Sequence, residues 1–155
     1  MRGTMLLFEL RGSQFQYFQK LFPNMPAYVL RDLIFKNYRN LQNPAEVQEI
    51  VQMWGSYTWK PQNLTITLNV FEPKTRKKLE ARMRGEDIGF QIPKDVERHE
   101  IQQKLLTAGP SQEPIIVLAT PQGYDLIEGW HRTIQSLKKW TGGYKQSAWI
   151  GSKQA

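Results

Sequence analysis

No cysteine occurs anywhere in the 155 residues. Disulfide frameworks, thiolate metal sites and cysteine nucleophiles are thereby excluded, and nothing points to an oxidising compartment. Long apolar runs are missing as well. Residues 1–12 hold one short apolar stretch broken by Glu9 and Arg11, too short for a signal-peptide core and far short of a membrane span. The expected location is the cytoplasm, a host's if the source is viral, with no membrane partner. Internal repeats and low-complexity tracts are also lacking, which sets aside solenoids and disordered polar arrays.

What is present suits a globular protein. Apolar residues make up 40% of the chain and charged residues 23%, well away from the composition at which chains stay disordered. A domain of about 150 residues buries roughly two thirds of its unfolded surface, so a core is expected without staples. The formal charge is +7 and unevenly placed. Residues 74–84 carry Lys74, Arg76, Lys77, Lys78, Arg82 and Arg84 against the single acid Glu80, a local +5. Such an excess favours a polyanion: DNA or other nucleic acid, a nucleotide, or an acidic protein face.

The first third of the chain reads as helical. Leu30, Leu33, Ile34 and Tyr38 recur at helical spacing over 27–39, and residues 13–22 place Phe15, Phe18 and Phe22 on a stripe that would also suit a strand. Asn43-Pro44-Ala45-Glu46 supplies a cap residue, a proline for the first helical position and a glutamate able to reach back. That helix is expected to run to Trp54 and to bury Val47, Ile50, Val51 and Trp54. The pattern breaks over 55–61, and 64–70 alternates as a half-buried strand. Pro73 fits the first turn of the basic helix and Gly85 the position past its end. A short extended piece at 89–93 and a helix at 94–106 follow. Residues 113–119 form a continuous apolar run suited to a strand covered on both faces; 121–123 is a turn and 124–127 a second strand. Gly129 then turns the chain into a helix with Ile134, Leu137 and Trp140 as its core side, closed by Gly142-Gly143 ahead of a last strand at 144–150. The expected fold class is α+β (mixed α/β), with residues 1–60 as an N-terminal helical subdomain and 61–155 as the core domain.

The strand-to-helix junction carries the chemistry. A helix start presents unpaired amides and the positive end of its dipole, so phosphate fits there. Gly129 would allow close approach of a ligand, Arg132 would add a charged fork matched to phosphate oxygens, Thr133 stands beside them, and His131 can donate a hydrogen bond or move a proton.

These residues resemble a family. Glu113-Pro114-Ile115-Ile116-Val117-Leu118 followed by Gly123-Tyr124-Asp125-Leu126-Ile127-Glu128-Gly129-Trp130-His131-Arg132-Thr133 is similar to the core of the ParB/sulfiredoxin superfamily, and the whole chain resembles its small stand-alone, phage-type members. The resemblance covers 88–134, more loosely 64–150, and leaves out the first sixty residues. It implies a ParB/sulfiredoxin-like core in which this junction holds the phosphates of ATP or CTP, with Gly129, His131 and Arg132 in contact and Thr133 alongside. It also implies a helix before the motif whose matching positions are Glu97, Glu100 and Lys104; Lys104 would reach the phosphates, while the two acids would need a metal between them. Trp130 stands where sulfiredoxin has its catalytic cysteine, so sulfinic-acid repair is excluded on chemistry.

Two functional classes follow. In the first, the protein is a nucleotide-dependent phosphotransferase or nucleotide hydrolase linked to nucleic-acid processing, with Mg²⁺ held by Glu97, Glu100 or Glu128 and with His131 or a glutamate such as Glu128 as the catalytic base. In the second, it is a non-catalytic DNA-binding or nucleotide-switch protein whose basic helix supplies the electrostatic footprint. The apolar stripes of the first sixty residues are expected to dock on the core domain or on another copy of the chain, making a homo-oligomer.

Overall fold

The computed structural model describes residues 15–38, 41–85 and 112–153. The chain is α+β and divides into two compact units, Met1–Trp59 with Lys153–Ala155, and Lys60–Ser152. The extended piece expected at 89–93 and the helix expected at 94–106 lie outside the described residues, as do Glu97, Glu100 and Lys104.

In the first unit, a helix over 15–21 (α1) is followed by α2, which starts as α-helix at Ala27–Val29 and continues as a π-helix at Leu30–Phe35. The widening has a local cause. Asn37 donates its side-chain amide to the carbonyls of Asp32 and Leu33, and the Lys36 amide reaches back five residues to Arg31. Side-chain competition for helix carbonyls of this kind disturbs the ordinary i to i−4 ladder. The expected single helix over 27–39 is thus modified rather than absent. Helix α3, Pro44–Trp54, begins as anticipated: Asn43 accepts from the Ala45 amide and Pro44 opens the first turn. Ile50 and Trp54 are buried, and Val47 and Val51 are half-buried. Phe18, Phe22, Val29, Leu30, Leu33 and Ile34 form the apolar interior, with Phe15 and Phe18 each 5.6 Å from the Phe35 ring.

The second unit is built on a mixed sheet of order β1-β4-β2-β3. Strand β1 is Tyr57–Ile66, β2 is Ile115–Thr120, β3 is Gly123–Glu128 and β4 is Tyr144–Lys153. β2 and β3 make an antiparallel hairpin, and β4 returns parallel to β2. Strand β1 starts seven residues before the expected 64 and ends at 66; the stretch expected to complete it forms a 3₁₀ turn, Leu68–Val70. One aromatic and three aliphatic or β-branched positions of β1, buried Trp59, Leu64 and Ile66 and half-buried Thr58, give that strand its anchorage despite Pro61.

Helix α4, Pro73–Met83, and helix α5, Trp130–Lys139, pack on one face of the sheet. Leu79 of α4 and Ile134 and Leu137 of α5 share a core with Leu64, Ile66, Ile115, Val117, Leu126, Ala148 and Ile150. Alternate residues of each strand supply it, as the two-residue strand period requires. Ile116 and Leu118 on the other side of β2 are buried too, matching the continuous apolar run.

Candidate functional site

The hairpin hands over to α5 at Gly129, whose φ is 101°. A Cβ here would stand 2.6 Å from the Ile115 Cγ2 atom, so this position needs glycine both for its backbone and for close packing on β2. Packing therefore accounts for Gly129 before any ligand does. No side chain caps the helix. The Thr133 amide makes the first i to i−4 bond, to the Gly129 carbonyl at 3.0 Å, and the turn ahead of it carries the amides that a helix cannot bond internally.

Arg132 departs from expectation. Rather than a solvent-facing fork, its side chain is only 10% exposed. Nη1 donates to the Glu113 carbonyl at 2.7 Å, and Nη2 donates to the Pro114 carbonyl at 3.3 Å. The Glu113 carboxylate lies 3.5 Å from Nη1. Gln146 of β4 donates to the same Glu113 carbonyl at 2.8 Å. The physical reason is local: the backbone leading into β2 presents two carbonyls beside the α5 start, and carbonyls in such partly buried bonds call for donors. Arg132 and Gln146 provide them. The guanidinium still borders the helix start, because its Nη2 would be 3.4 Å from a Cβ on Gly129.

Thr133 also faces inward. Its hydroxyl and those of Ser136 and Tyr144 are buried without a well-formed hydrogen bond among the described residues. Burial pushes the Tyr144 phenol up to about 12, against the opposing pull of the Ser136 and Thr133 hydroxyls and the Arg132 charge. Tyr144 is thus a neutral group at any physiological pH. His131 and Glu128 are half-exposed, one in the first turn of α5 and the other at the last residue of β3. Among the described residues, no three His, Asp or Glu side chains gather to hold a metal ion.

The basic helix lies against this junction. Arg82 of α4 stacks on Trp130 of α5, 4.6 Å from guanidinium carbon to ring centroid, a cation–π contact. Trp130 also packs against the core. α4 is held at its own start by Glu72, which accepts from the amides of Lys74 at 3.1 Å and Thr75 at 2.7 Å. The Thr75 hydroxyl lies within hydrogen-bond distance of both Glu72 and Asp125 of β3. Arg76 donates to the Phe71 carbonyl at 3.2 Å. Lys74, Lys77, Lys78 and Arg84 are exposed, and none of the three lysines makes an ion pair among the described residues. A shallow depression of about 450 Å³ is lined by Pro73, Lys74, Arg76, Lys77 and Glu80.

The structure therefore brings together Gly129, His131, Arg132, Thr133 and Arg82 at one junction, with Glu128 just before it. Sequence reasoning missed Glu113, Gln146 and the Arg82–Trp130 stack. Gln146 did carry a signal, since it stands at an inward position of a strand whose neighbours Tyr144, Ala148 and Ile150 are buried. Nothing in the sequence singles out Glu113, whose role depends on a guanidinium nineteen residues away.

Comparison with protein-family models, curated proteins and solved structures returns no match to this chain. No helix among the described residues is long and apolar enough to cross a membrane.

Proposed function

We propose that the Lys60–Ser152 unit is a cytoplasmic, ParB/sulfiredoxin-like phosphate-binding domain that takes a nucleotide such as ATP or CTP at the start of α5. One observation carries this reading: the Arg82–Trp130 stack joins the basic helix to the α5 start, so that cationic side chains and the positive end of a helix dipole adjoin. His131 is half-exposed in the first turn, within the element that would meet the phosphates. The test is a thermal-shift panel of ATP, ADP, CTP and GTP with and without Mg²⁺. A ligand that binds the folded state alone raises the melting point, by mass action. A flat panel at millimolar nucleotide overturns the reading.

A second reading, a non-catalytic nucleic-acid contact through α4, is favoured by the three exposed lysines without ion pairs among the described residues. Charge reversal of Lys74, Lys77 and Lys78 would then weaken duplex DNA binding. It would also flatten the salt dependence by a slope of roughly 2.7 in log K against log salt, the value for three phosphates. An unchanged slope assigns α4 to solvent.

A further inference from the structure

The lysines of α4 are set apart from its arginines. Lys74, Lys77 and Lys78 are exposed and stand at i, i+3 and i+4, so they line one side of the helix over about 6 Å of its axis. Arg76 and Arg82, by contrast, are tied to the protein. Arg76 is half-buried, with Nη2 on the Phe71 carbonyl at 3.2 Å and Nε enclosed, and Arg82 lies over the Trp130 ring. Arg84 stands past the last helical residue, at the C-cap, and has a contact of its own. Glu72 occupies the amides at the start of α4, which leaves the lysines as the helix's means of meeting an anion. Glu80, half-buried, is the one acid lining the depression beside Lys74 and Lys77.

Resting on the nucleic-acid reading above, we propose that α4 grips the phosphate backbone of duplex DNA without reading its sequence. Reading a base takes a donor held in a fixed direction, as a rigid arginine fork or a side-chain amide supplies. α4 holds no Asn or Gln, and its two internal arginines are engaged. An exposed lysine with no ion pair among the described residues is a point charge on a flexible stem, suited to any phosphate and to no particular base. The same face disfavours other polyanions. A helix that lies on an anionic membrane carries an apolar face, whereas Leu79 of α4 is buried in the core. The centre of a protein interface is depleted in lysine and built on apolar or aromatic side chains, whereas α4 exposes only Pro73 and the lysines.

The experiment measures fluorescence anisotropy of the full chain on labelled DNA duplexes of equal length, one of alternating A·T pairs, one of alternating G·C pairs and one mixed, across a salt series. The expected affinities agree within about twofold, below the roughly fivefold that one bidentate base contact represents at its weakest. Lys78→Gln is expected to weaken binding to every duplex alike and to flatten each salt slope by about 0.9, the value for one phosphate. Lys78→Arg, which keeps the charge, is expected to keep the slope. A preference above about fivefold for one duplex overturns the sequence-blind grip and leaves the nucleic-acid reading in place. Uniform binding whose slope ignores glutamine at Lys74, Lys77 and Lys78 alike puts the contact off α4 and overturns the proposal as well. Absence of binding to any duplex at low salt, with or without binding to phosphatidylserine vesicles, takes down the nucleic-acid reading and this proposal with it.

Discussion

A buried guanidinium with three oxygen acceptors within 3.5 Å cannot be removed without cost to the fold. Arg132→Ala takes a charged donor from the Pro114 carbonyl and halves the donors to the Glu113 carbonyl, which keeps Gln146. The expected loss is about 1.5–3 kcal/mol, the range for a hydrogen bond to a charged group. Urea melts of the variant read it directly, and an unchanged midpoint would deny Arg132 its structural part. Arg132→Lys keeps the charge but not the two-pronged geometry, so its stability should fall between the two. This differs from what the residue's place in the motif suggests on its own, namely a variant folded normally and defective only in ligand binding. Both losses are now expected together. Thr133 follows the same logic: its side chain is fully buried and so is no ready phosphate contact.

At the scale of the element, the start of α4 depends on Glu72. Desolvation pushes its carboxyl up, but the Thr75 hydroxyl, the Lys74 and Thr75 amides and the Lys74 charge outweigh that and hold it below its ordinary value of 4.5. A group with a depressed folded pKa stabilises the fold above its unfolded value and loses that contribution as pH falls through the folded one. Glu72→Ala should therefore cost about 1 kcal/mol at neutral pH, as for other N-caps. The gap between parent and variant should narrow as pH drops below 4.5. Denaturant melts at neutral pH and near pH 3 decide the point; a gap that stays constant would mean that the carboxylate's charge plays no part in the cap. The Thr75 hydroxyl has one hydrogen for two nearby carboxylates, Glu72 and Asp125, so it donates to one of them at a time.

For the whole molecule, every described residue of the junction and all of its core cluster fall within Lys60–Ser152. Strand β1, however, begins at Tyr57. A chain started at Tyr57 keeps that strand entire and should melt cooperatively and, on the proposed phosphate-binding reading, take up nucleotide as the full protein does. Calorimetric titration of the shortened chain checks this. Folding without binding would show that residues 1–56 supply part of the site. The net charge of +7 acts at this scale too, raising association rates with any polyanion at low salt.

Sequence by itself determined the elements whose signals are local. Asn43-Pro44 marks one helix start through its cap and fixed proline φ, Pro73 marks another through its fixed φ alone, and the run from Ile115 to Leu118 marks a strand buried on both faces. The order strand, turn, strand, helix around Gly129 is equally legible, because turn residues and hydrophobic period act within a few positions of one another. The limits of β1 were not, since a strand edge depends on a partner eighty residues on: Lys145 donates to Thr65, and Ser147 to Asn63. Only the tertiary structure decided where the Arg132 fork points. An arginine at a helix start is equally suited to a phosphate and to two backbone carbonyls, and the arrival of Glu113 and Pro114 beside it is what settled its partners.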